Sequence, residues 1–380
     1  MNILIIPSWY NTDNNPTNGN FFREQAHGIK EKGNNVIVAF VEVSLLSNES
    51  RKNKVKVIND NGIKTYRITQ GKIPKTGNLG TAIAFRQGLR KIYREIIKEE
   101  KIDIVHLHSC IWGGLAGSFI SKKLRVPLVI TEHSSYYGRF NVNFFERQII
   151  KYSFKNASKV ISVSNYLKEI ISKYYSGNID IIPNMVDFNK FLYCKSENKI
   201  SSGKFTFLSL CYLKINKAVD ILIRAFSEYF KGENVVLVVA GDGPEKANLE
   251  KLALELEISD QIIFKGALSR EEVKNEMSNC DAFVLPSRFE TFGVVLIEAL
   301  ASGKPIISTR NGGANDIVND FNGILVDIDN IEELGEKMYY MYKNYNKYDS
   351  YKIRELCNDI YSKERVIQKL LNIYEEFNGK

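Results

Sequence analysis

Short runs of β-branched and apolar residues alternate with amphipathic helical patterns along all 380 residues of the chain. This alternation is typical of α/β proteins, in which helices cover both faces of a mostly parallel sheet. Chains longer than about 250–300 residues usually divide into domains, because a single core stops growing at that size. The sequence therefore predicts two doubly wound α/β domains.

The first half contains seven runs that predict strands. They lie at residues 3–6, 36–43, 55–57, 102–107, 128–131, 160–163 and 179–182. Helices are predicted at residues 21–32 and 86–100. In the second of these helices Leu89, Ile92 and Ile96 form an apolar stripe that faces away from three arginines.

A polar stretch at residues 195–203 predicts a linker, after which the pattern restarts. The predicted strands lie at residues 205–210, 235–240, 261–264, 282–285, 306–308 and 324–326. The predicted helices lie at residues 218–230, 246–256, 270–278, 294–302 and 363–377. We therefore place the N-terminal domain at residues 1–192, the linker at 193–204 and the C-terminal domain at 205–362.

Basic residues are concentrated in the first half of the chain. Residues 1–190 contain 28 Lys and Arg against 15 Asp and Glu, a net charge of +13, whereas residues 191–380 contain 24 against 29, a net charge of −5. This asymmetry indicates an anionic partner for the first domain, such as a phosphate-bearing acceptor or a membrane surface. A solvated basic surface without such a partner explains the asymmetry equally well. Nucleic acid is disfavoured as a partner, because no stacking aromatics are interleaved with the basic runs.

The five cysteines are scattered and never occur as C-x-x-C, which argues against a disulfide framework and a zinc site. This usage fits a reducing cytoplasm. The N-terminus lacks the pattern of a signal peptide, and no apolar run approaches the roughly 18 residues of a spanning helix. We expect a cytoplasmic protein, with any membrane contact peripheral at the inner face.

The segment after the strand at residues 282–285 is the most informative. A loop presents Glu290 and then Gly293, and a helix begins whose free backbone N–H groups form an anion site. Glu298 lies eight residues beyond Glu290 and faces roughly the same way, so two carboxylates straddle a phosphate-sized site. One is suited to the hydroxyls of a transferred sugar and the other to a ribose. The alternative is one glutamate that favours the helix dipole and one that is solvated.

This segment resembles the E-x7-E signature of glycosyltransferase family 4, retaining enzymes of the GT-B fold. Other segments resemble those of the family in the same order, namely residues 16–25, 103–108, 131–133, 182–187, 241–245, 264–266 and 312–313. The resemblance covers nearly the whole chain. It implies two Rossmann-like domains that face each other across a cleft, with a C-terminal helix at residues 363–380 that crosses back to the N-terminal domain.

The resemblance also implies roles for individual residues. Glu290, Lys217 and His108 are expected to be catalytic. The donor, a UDP-sugar or GDP-sugar, is expected to contact Gly19, Tyr212, Lys214, Gly241, Gly266, Thr291, Phe292, Gly293, Val294 and Glu298. His133 and Arg139 are expected near the sugar or the acceptor.

The chain departs from the family after the first strand of the second domain, where the family carries G-R-L-x-x-x-K-G. Here Lys217 is kept, Tyr212 stands at the arginine position, and both glycines are replaced. A phenol makes one neutral hydrogen bond, whereas a guanidinium makes bidentate contacts with phosphate. Lys214 is a candidate to compensate in part.

Two further groups of residues have a structural interpretation beside the functional one. His106 and His108 are expected to face opposite sides of their strand, with one of them structural and His108 at the sugar. Phe144 and Phe145, together with Phe140 and the neighbouring arginines, are predicted to shape an acceptor groove, to lie at a membrane interface or to pack as an ordinary helix.

The resemblance implies substitution at the anomeric carbon with retention, by front-face attack in which the leaving diphosphate takes the proton of the acceptor. Lys217, backbone N–H groups and the helix start then stabilise the departing charge, and no metal is required. Glycan, lipid-linked and protein acceptors are all compatible with the sequence. The alternative, prompted by Tyr212, is a sugar-nucleotide-binding protein with little catalysis.

Overall fold

The computed structural model describes residues 1–12, 18–45, 54–134, 136, 142–191 and 203–378. The chain divides into two compact units, one formed by Met1–Pro183 with Val366–Lys380 and the other by Asn184–Arg365. Each unit is built on its own largely parallel sheet. The prediction of two α/β domains is therefore confirmed. The predicted linker at residues 193–204 lies outside the described residues as far as residue 202.

The described part of the first unit contains an eight-stranded sheet. Its strands are β1 (Asn2–Pro7), β2 (Asn35–Leu45), β3 (Lys56–Asp60), β4 (Ile63–Lys72), β5 (Ile104–His108), β6 (Leu128–Glu132), β7 (Lys159–Ser162) and β8 (Ile179–Ile181). Their spatial order is β3-β4-β2-β1-β5-β6-β7-β8. Only the edge pair β3–β4 is antiparallel among these neighbours, and its hairpin turns at Asn61 and Gly62, which both have positive φ.

Helices in the described part of the first unit are α1 (Asn20–Glu31), α2 (Gly77–Glu99), α3 (Cys110–Leu124), α4 (Phe144–Lys155) and α5 (Asn165–Ser172). The apolar stripe predicted for α2 is confirmed, because Leu89, Ile92 and Ile96 are buried. Helix α3, which was not predicted, packs between α2 and α4.

The second unit contains a six-stranded parallel sheet in the order β11-β10-β9-β12-β13-β14. Its strands are β9 (Phe205–Leu210), β10 (Val235–Ala240), β11 (Ile262–Gly266), β12 (Ala282–Leu285), β13 (Ile306–Thr309) and β14 (Gly323–Val326). Its helices are α6 (Val219–Phe230), α7 (Lys246–Glu255), α8 (Arg270–Asn279), α9 (Val294–Ala301), α10 (Ile331–Lys343) and α11 (Ser350–Tyr361). The strands and the first four helices agree with the prediction within a few residues, whereas α10 and α11 were not predicted.

The last helix, α12 (Lys363–Glu375), belongs to the first unit from Val366 onward. Its apolar stripe is buried, and Tyr374 at its end is fully enclosed. Lys159 of β7 forms an ion pair with Glu376 just beyond the helix, at 3.1 Å. The prediction that the chain returns to its N-terminal domain is therefore confirmed. Within the described ranges no helix combines the length and apolar character needed to cross a membrane.

Candidate functional site

The sheet of the second unit reverses its order between β9 and β12. Open α/β sheets bind ligands at such a switch point, beyond the carboxyl ends of the strands. Lys217 follows β9, and Glu290 follows β12. The Lys217 ammonium forms an ion pair with the Glu290 carboxylate, and their side chains are only 17% and 14% exposed. The structure therefore brings together two of the predicted catalytic residues at the expected place.

Arg288, which the sequence analysis did not single out, connects the two loops that carry this ion pair. Its backbone N–H donates to the Asn216 carbonyl at 2.9 Å, and its guanidinium donates to the Ile215 carbonyl. The same guanidinium donates to the Asp329 carboxylate at 2.7 Å. Arg288 thus holds the turn before Lys217 against the loop before Glu290. Its place two residues before Glu290 is the only signal in the sequence that marks it.

The backbone of Glu290 is clamped to the loop after β13. Its N–H donates to the Asn311 carbonyl at 3.1 Å, and its carbonyl accepts from the Gly313 N–H at 3.0 Å. A side chain on Gly313 would clash with the backbone of Phe292. Gly313, the second of the two glycines after β13, is therefore required by the close approach of two loops, which positions the Glu290 carboxylate.

The Lys217 turn shows how the chain departs from the family pattern. Ala218, which replaces a glycine, has the left-handed conformation with φ 51° and ψ 35°. This conformation costs a non-glycine residue about 1–2 kcal/mol. Tyr212 is 61% exposed, and the Lys214 ammonium lies 5.9 Å from its ring centre. The phenol at the usual arginine position therefore points into solvent beside a cation.

The predicted nucleotide loops lie side by side at the carboxyl ends of β9, β10 and β11. The Gly241 N–H donates to the Gly266 carbonyl at 2.7 Å, and the Cys211 N–H donates to the Ala240 carbonyl at 3.1 Å. Gly241 has φ 127°, and a side chain there would clash with the Cys211 carbonyl oxygen. Gly241 is required by this close backbone packing, whether or not a nucleotide is bound.

Helix α9 begins directly after the Glu290 loop. Gly293 is its N-cap, with φ 93°, and Val294 is its first residue. The Leu296 N–H donates to the Gly293 carbonyl at 2.9 Å, which leaves the N–H groups before it in the turn for an anion. Thr291 lies in the same loop. The ring of Phe292 is buried and lies 5.9 Å from the ring of Tyr361, so only the backbone of Phe292 is placed to meet a ligand.

Glu298 is almost fully buried on α9, with 4% of its side chain exposed. Its carboxylate accepts a hydrogen bond from the guanidinium of Arg270, the first residue of α8, at 2.6 Å. Ser269 and Glu272 form a capping box at the start of α8, which holds Arg270 in place. The two predicted glutamates therefore have different partners, Lys217 after β9 for Glu290 and Arg270 after β11 for Glu298.

The sheet of the first unit reverses its order between β1 and β5. Gly19 follows β1 with φ 71°, and a side chain there would press on the Trp9 carbonyl. His108 ends β5, and His133 follows β6. Both imidazoles are buried, and their Nδ1 and Nε2 atoms respectively lie 3.1 Å apart. Arg139 and Phe140 lie outside the described residues.

The prediction that His106 and His108 face opposite sides of their strand is wrong. Their ring centres lie only 4.2 Å apart. Successive residues of a strand alternate between its faces, so residues two apart share a face. His106, His108 and His133 therefore form one buried cluster, which the ring of Phe22 covers at 4.8 Å from the His108 ring.

Two members of this three-histidine cluster, His106 and His108, are held neutral by their surroundings. Burial lowers the pKa of His106 to about 3, and burial together with the two neighbouring rings holds the pKa of His108 well below its usual range. His108 Nε2 has no hydrogen-bond partner among the described residues. The Nε2 atom is itself buried, so it can hydrogen-bond a ligand hydroxyl only when the side chains that cover it move aside.

Glu132 at the end of β6 sets the path of the chain into His133. It is fully buried, and its carboxylate accepts from the N–H groups of Cys110, His133 and Ser134 at 3.0, 2.9 and 2.8 Å. It thereby caps the start of α3. In the part of the chain that the structure describes, no three His, Cys, Asp or Glu side chains group closely enough to hold a metal ion.

Solved structures with the same fold cover nearly the whole chain. A sucrose-phosphate synthase of Thermosynechococcus elongatus has a TM-score of 0.76 at 17% identity and covers 99% of both chains. The Anabaena protein HepE in complex with UDP has a TM-score of 0.77 at 18% identity and covers 99% of this chain and 100% of its own. These neighbours establish the GT-B fold.

Sequence comparison identifies the family. Residues 19–190 match the family described as Glycosyltransferase Family 4, and residues 194–355 match Glycosyl transferases group 1. An uncharacterized glycosyltransferase of Methanocaldococcus jannaschii is 33% identical, over 67% of this chain and 69% of that protein. The alpha-monoglucosyldiacylglycerol synthase of Streptococcus pneumoniae is 31% identical, over 60% of this chain and 56% of that protein. The chain belongs to glycosyltransferase family 4.

Proposed function

We propose that this glycosyltransferase moves a sugar from a nucleotide-diphosphate sugar to an acceptor hydroxyl with retention at the anomeric carbon. The ion pair of Lys217 and Glu290 at the switch point of the second sheet carries this proposal. A bound diphosphate competes with Glu290 for the Lys217 ammonium, which has three donors. The Lys217 ammonium then donates to the phosphate, and the Glu290 carboxylate accepts hydrogen bonds from the sugar hydroxyls.

In the proposed step the acceptor oxygen attacks the anomeric carbon from the face that the diphosphate leaves. The bond between that carbon and the diphosphate oxygen breaks, and its electron pair goes to the diphosphate. The proton of the acceptor passes to the leaving phosphate oxygen. Lys217 and the N–H groups at the start of α9 stabilise the departing charge, so the proposed mechanism needs no metal. His108 is proposed to hydrogen-bond the transferred sugar.

The donor and the acceptor are proposed from what the names of similar proteins state. The structure of HepE was solved with UDP, and another with UDP-glucose, which supports a UDP-sugar donor ahead of a GDP-sugar. The name of the Streptococcus pneumoniae relative specifies a glucosylated diacylglycerol, which supports a lipid-linked acceptor ahead of a glycan or a protein.

A panel of nucleotide diphosphates and sugar nucleotides tests the proposal. We expect one donor to raise the melting temperature, because a ligand at 100 times its Kd adds about 2.7 kcal/mol of stability. We expect that donor to be turned over with the anomeric configuration retained, and turnover to persist in EDTA. Stabilisation without product would favour the sugar-nucleotide-binding alternative. Activity that EDTA removes and Mn²⁺ restores would contradict the metal-free mechanism.

We further propose that the protein works in the cytoplasm at the anionic inner face of a membrane. Phe144 and Phe145, in the first turn of α4, are 68% and 63% exposed. Asn78 in the first turn of α2 donates to Glu146 at 3.0 Å, which places the two helix starts side by side. Arg86 and two other arginines of α2 are exposed. Aromatic side chains beside a cationic helix suit the headgroup region of an anionic bilayer.

Vesicle binding tests whether Phe144 and Phe145 contact an anionic membrane. We expect the protein to co-sediment with phosphatidylglycerol vesicles more than with phosphatidylcholine vesicles, and added salt to weaken the binding. The double variant Phe144→Ser/Phe145→Ser is expected to reduce co-sedimentation. Phe321→Ser in the second unit, where Phe321 is 61% exposed, is the matched control. Equal recovery with both kinds of vesicle would instead indicate an uncharged, soluble acceptor.

A further inference from the structure

Tyr374 joins the C-terminal helix to the three-histidine cluster. It is fully buried, and its hydroxyl lies 2.6 Å from His106 Nδ1. The other ring nitrogen of His106, Nε2, lies 2.8 Å from the Thr131 hydroxyl. Both nitrogens of a fully buried imidazole are therefore occupied, one by a residue that lies 268 positions away in the sequence.

The partners of His106 determine which of its nitrogens carries the proton. Burial raises the pKa of Tyr374, so the phenol keeps its proton and needs an acceptor. Its hydroxyl has no hydrogen-bond partner other than His106 among the described residues. A buried donor without an acceptor is costly, so the hydroxyl donates to Nδ1. The proton of the neutral imidazole then lies on Nε2, which donates to Thr131.

The His106 ring contacts the His108 ring directly, so the orientation of the first ring constrains that of the second. The rings lie 4.2 Å apart between centres, at an interplanar angle of 38°. His108 is held on its other side by His133, at 3.1 Å between ring nitrogens. Interiors are close-packed, so a rotation of the His106 ring displaces the ring that packs on it.

We propose that Tyr374 is a positioning residue for sugar transfer, which holds the His106 ring and tautomer so that His108 presents its Nε2 to the transferred sugar. The inference rests on the proposed role of His108. It makes the end of the C-terminal helix part of the machinery of the reaction, although Tyr374 itself touches no substrate.

Removal of the Tyr374 hydroxyl tests the inference. Tyr374→Phe keeps the ring and is expected to lower kcat about tenfold, the scale of one lost hydrogen bond, with donor KM changed by less than about twofold. In a His108→Ala background the same substitution is expected to have no further effect on kcat. Glu376→Gln, which breaks the exposed pair with Lys159, is the matched control and should leave kcat unchanged. Normal kcat in Tyr374→Phe, or an equal loss in both backgrounds, would overturn the proposal.

A second readout does not depend on activity. Nitrogen-15 NMR of the histidine rings should show the wild-type His106 proton on Nε2, and Tyr374→Phe should populate the other tautomer. A wild-type proton on Nδ1 would overturn the proposal. If Tyr374→Phe does not fold, Thr131→Val removes the other partner of His106 and should lower kcat in the same way. A wild-type protein that shows this tautomer but transfers no sugar would count against the proposed function and not against the positioning of His106.

Discussion

Replacement of Glu290 by glutamine is expected to lower donor turnover by about 10²–10³-fold, with only a small change in donor KM. Positive charge develops on the sugar ring as the glycosidic bond breaks, and the proposed position of Glu290 stabilises that charge. The substitution removes the charge and keeps the shape. It also removes the ionic partner of Lys217, whose ammonium is mostly buried. Measurement of kcat and KM with the donor found in the panel decides the result.

Glu298→Gln is the matched comparison, because it makes the same change eight residues later on the same segment. Glu298 is proposed to contact the ribose, a contact made equally in the ground state and the transition state, so its loss should mainly raise donor KM. Its partner Arg270 is 40% exposed and stays hydrated after the change. Near-normal kinetics in both variants would contradict the assignment of the E-x7-E segment to the donor site.

Lys217→Met is expected to lower kcat by about 10²–10³-fold, because it removes a preorganised positive charge from the proposed leaving diphosphate. Methionine keeps much of the aliphatic stem of lysine, so packing changes little. Binding of the nucleoside diphosphate, measured by calorimetry, should weaken as well. Lys214→Met is the matched control in the same turn. It should have a smaller effect, confined mainly to donor KM.

The double variant Lys217→Met/Glu290→Gln tests whether the ion pair acts as a unit. Each single variant leaves one mostly buried group without its partner. Residues that act together are strongly non-additive, so the double variant should be about as impaired as the worse single variant. Losses that multiply would show that Lys217 and Glu290 act independently, and the proposed exchange of partners on donor binding would then be wrong.

Periodicity in the sequence predicts the strands of the second sheet and the amphipathic helix α2. Strands such as β10 and β12 are continuous runs of buried apolar residues, and α2 buries one apolar face. Periodicity does not predict α3, which is buried over most of its surface and contains three glycines. A helix that is apolar on every side has no stripe, and glycine lowers helix propensity. One of these glycines is required by contact, since a side chain on Gly114 would clash with Ser153 of α4.

Some residues of the candidate site could likewise be predicted from the sequence, and others could not. Glu290 and Lys217 were predicted from a motif and from a family pattern, and the structure places them in contact across 73 residues of sequence. Arg288 and Tyr374 were not predicted, because nothing near them in the chain shows what they touch. Residues two apart on a strand share a face, so the sequence itself places His106 and His108 on one side, contrary to the prediction that they face opposite sides.

The return of the chain to its first unit has a consequence for biosynthesis. Residues from Val366 onward complete a unit whose other residues end at Pro183, so 182 residues are synthesised between the two parts. At about 5–20 residues per second a ribosome needs roughly 10–40 s for that stretch. During this time the first unit lacks α12, and the nitrogen of His106 that Tyr374 will occupy has no phenol beside it. The second unit begins later in the sequence, but its synthesis is finished before that of the first unit.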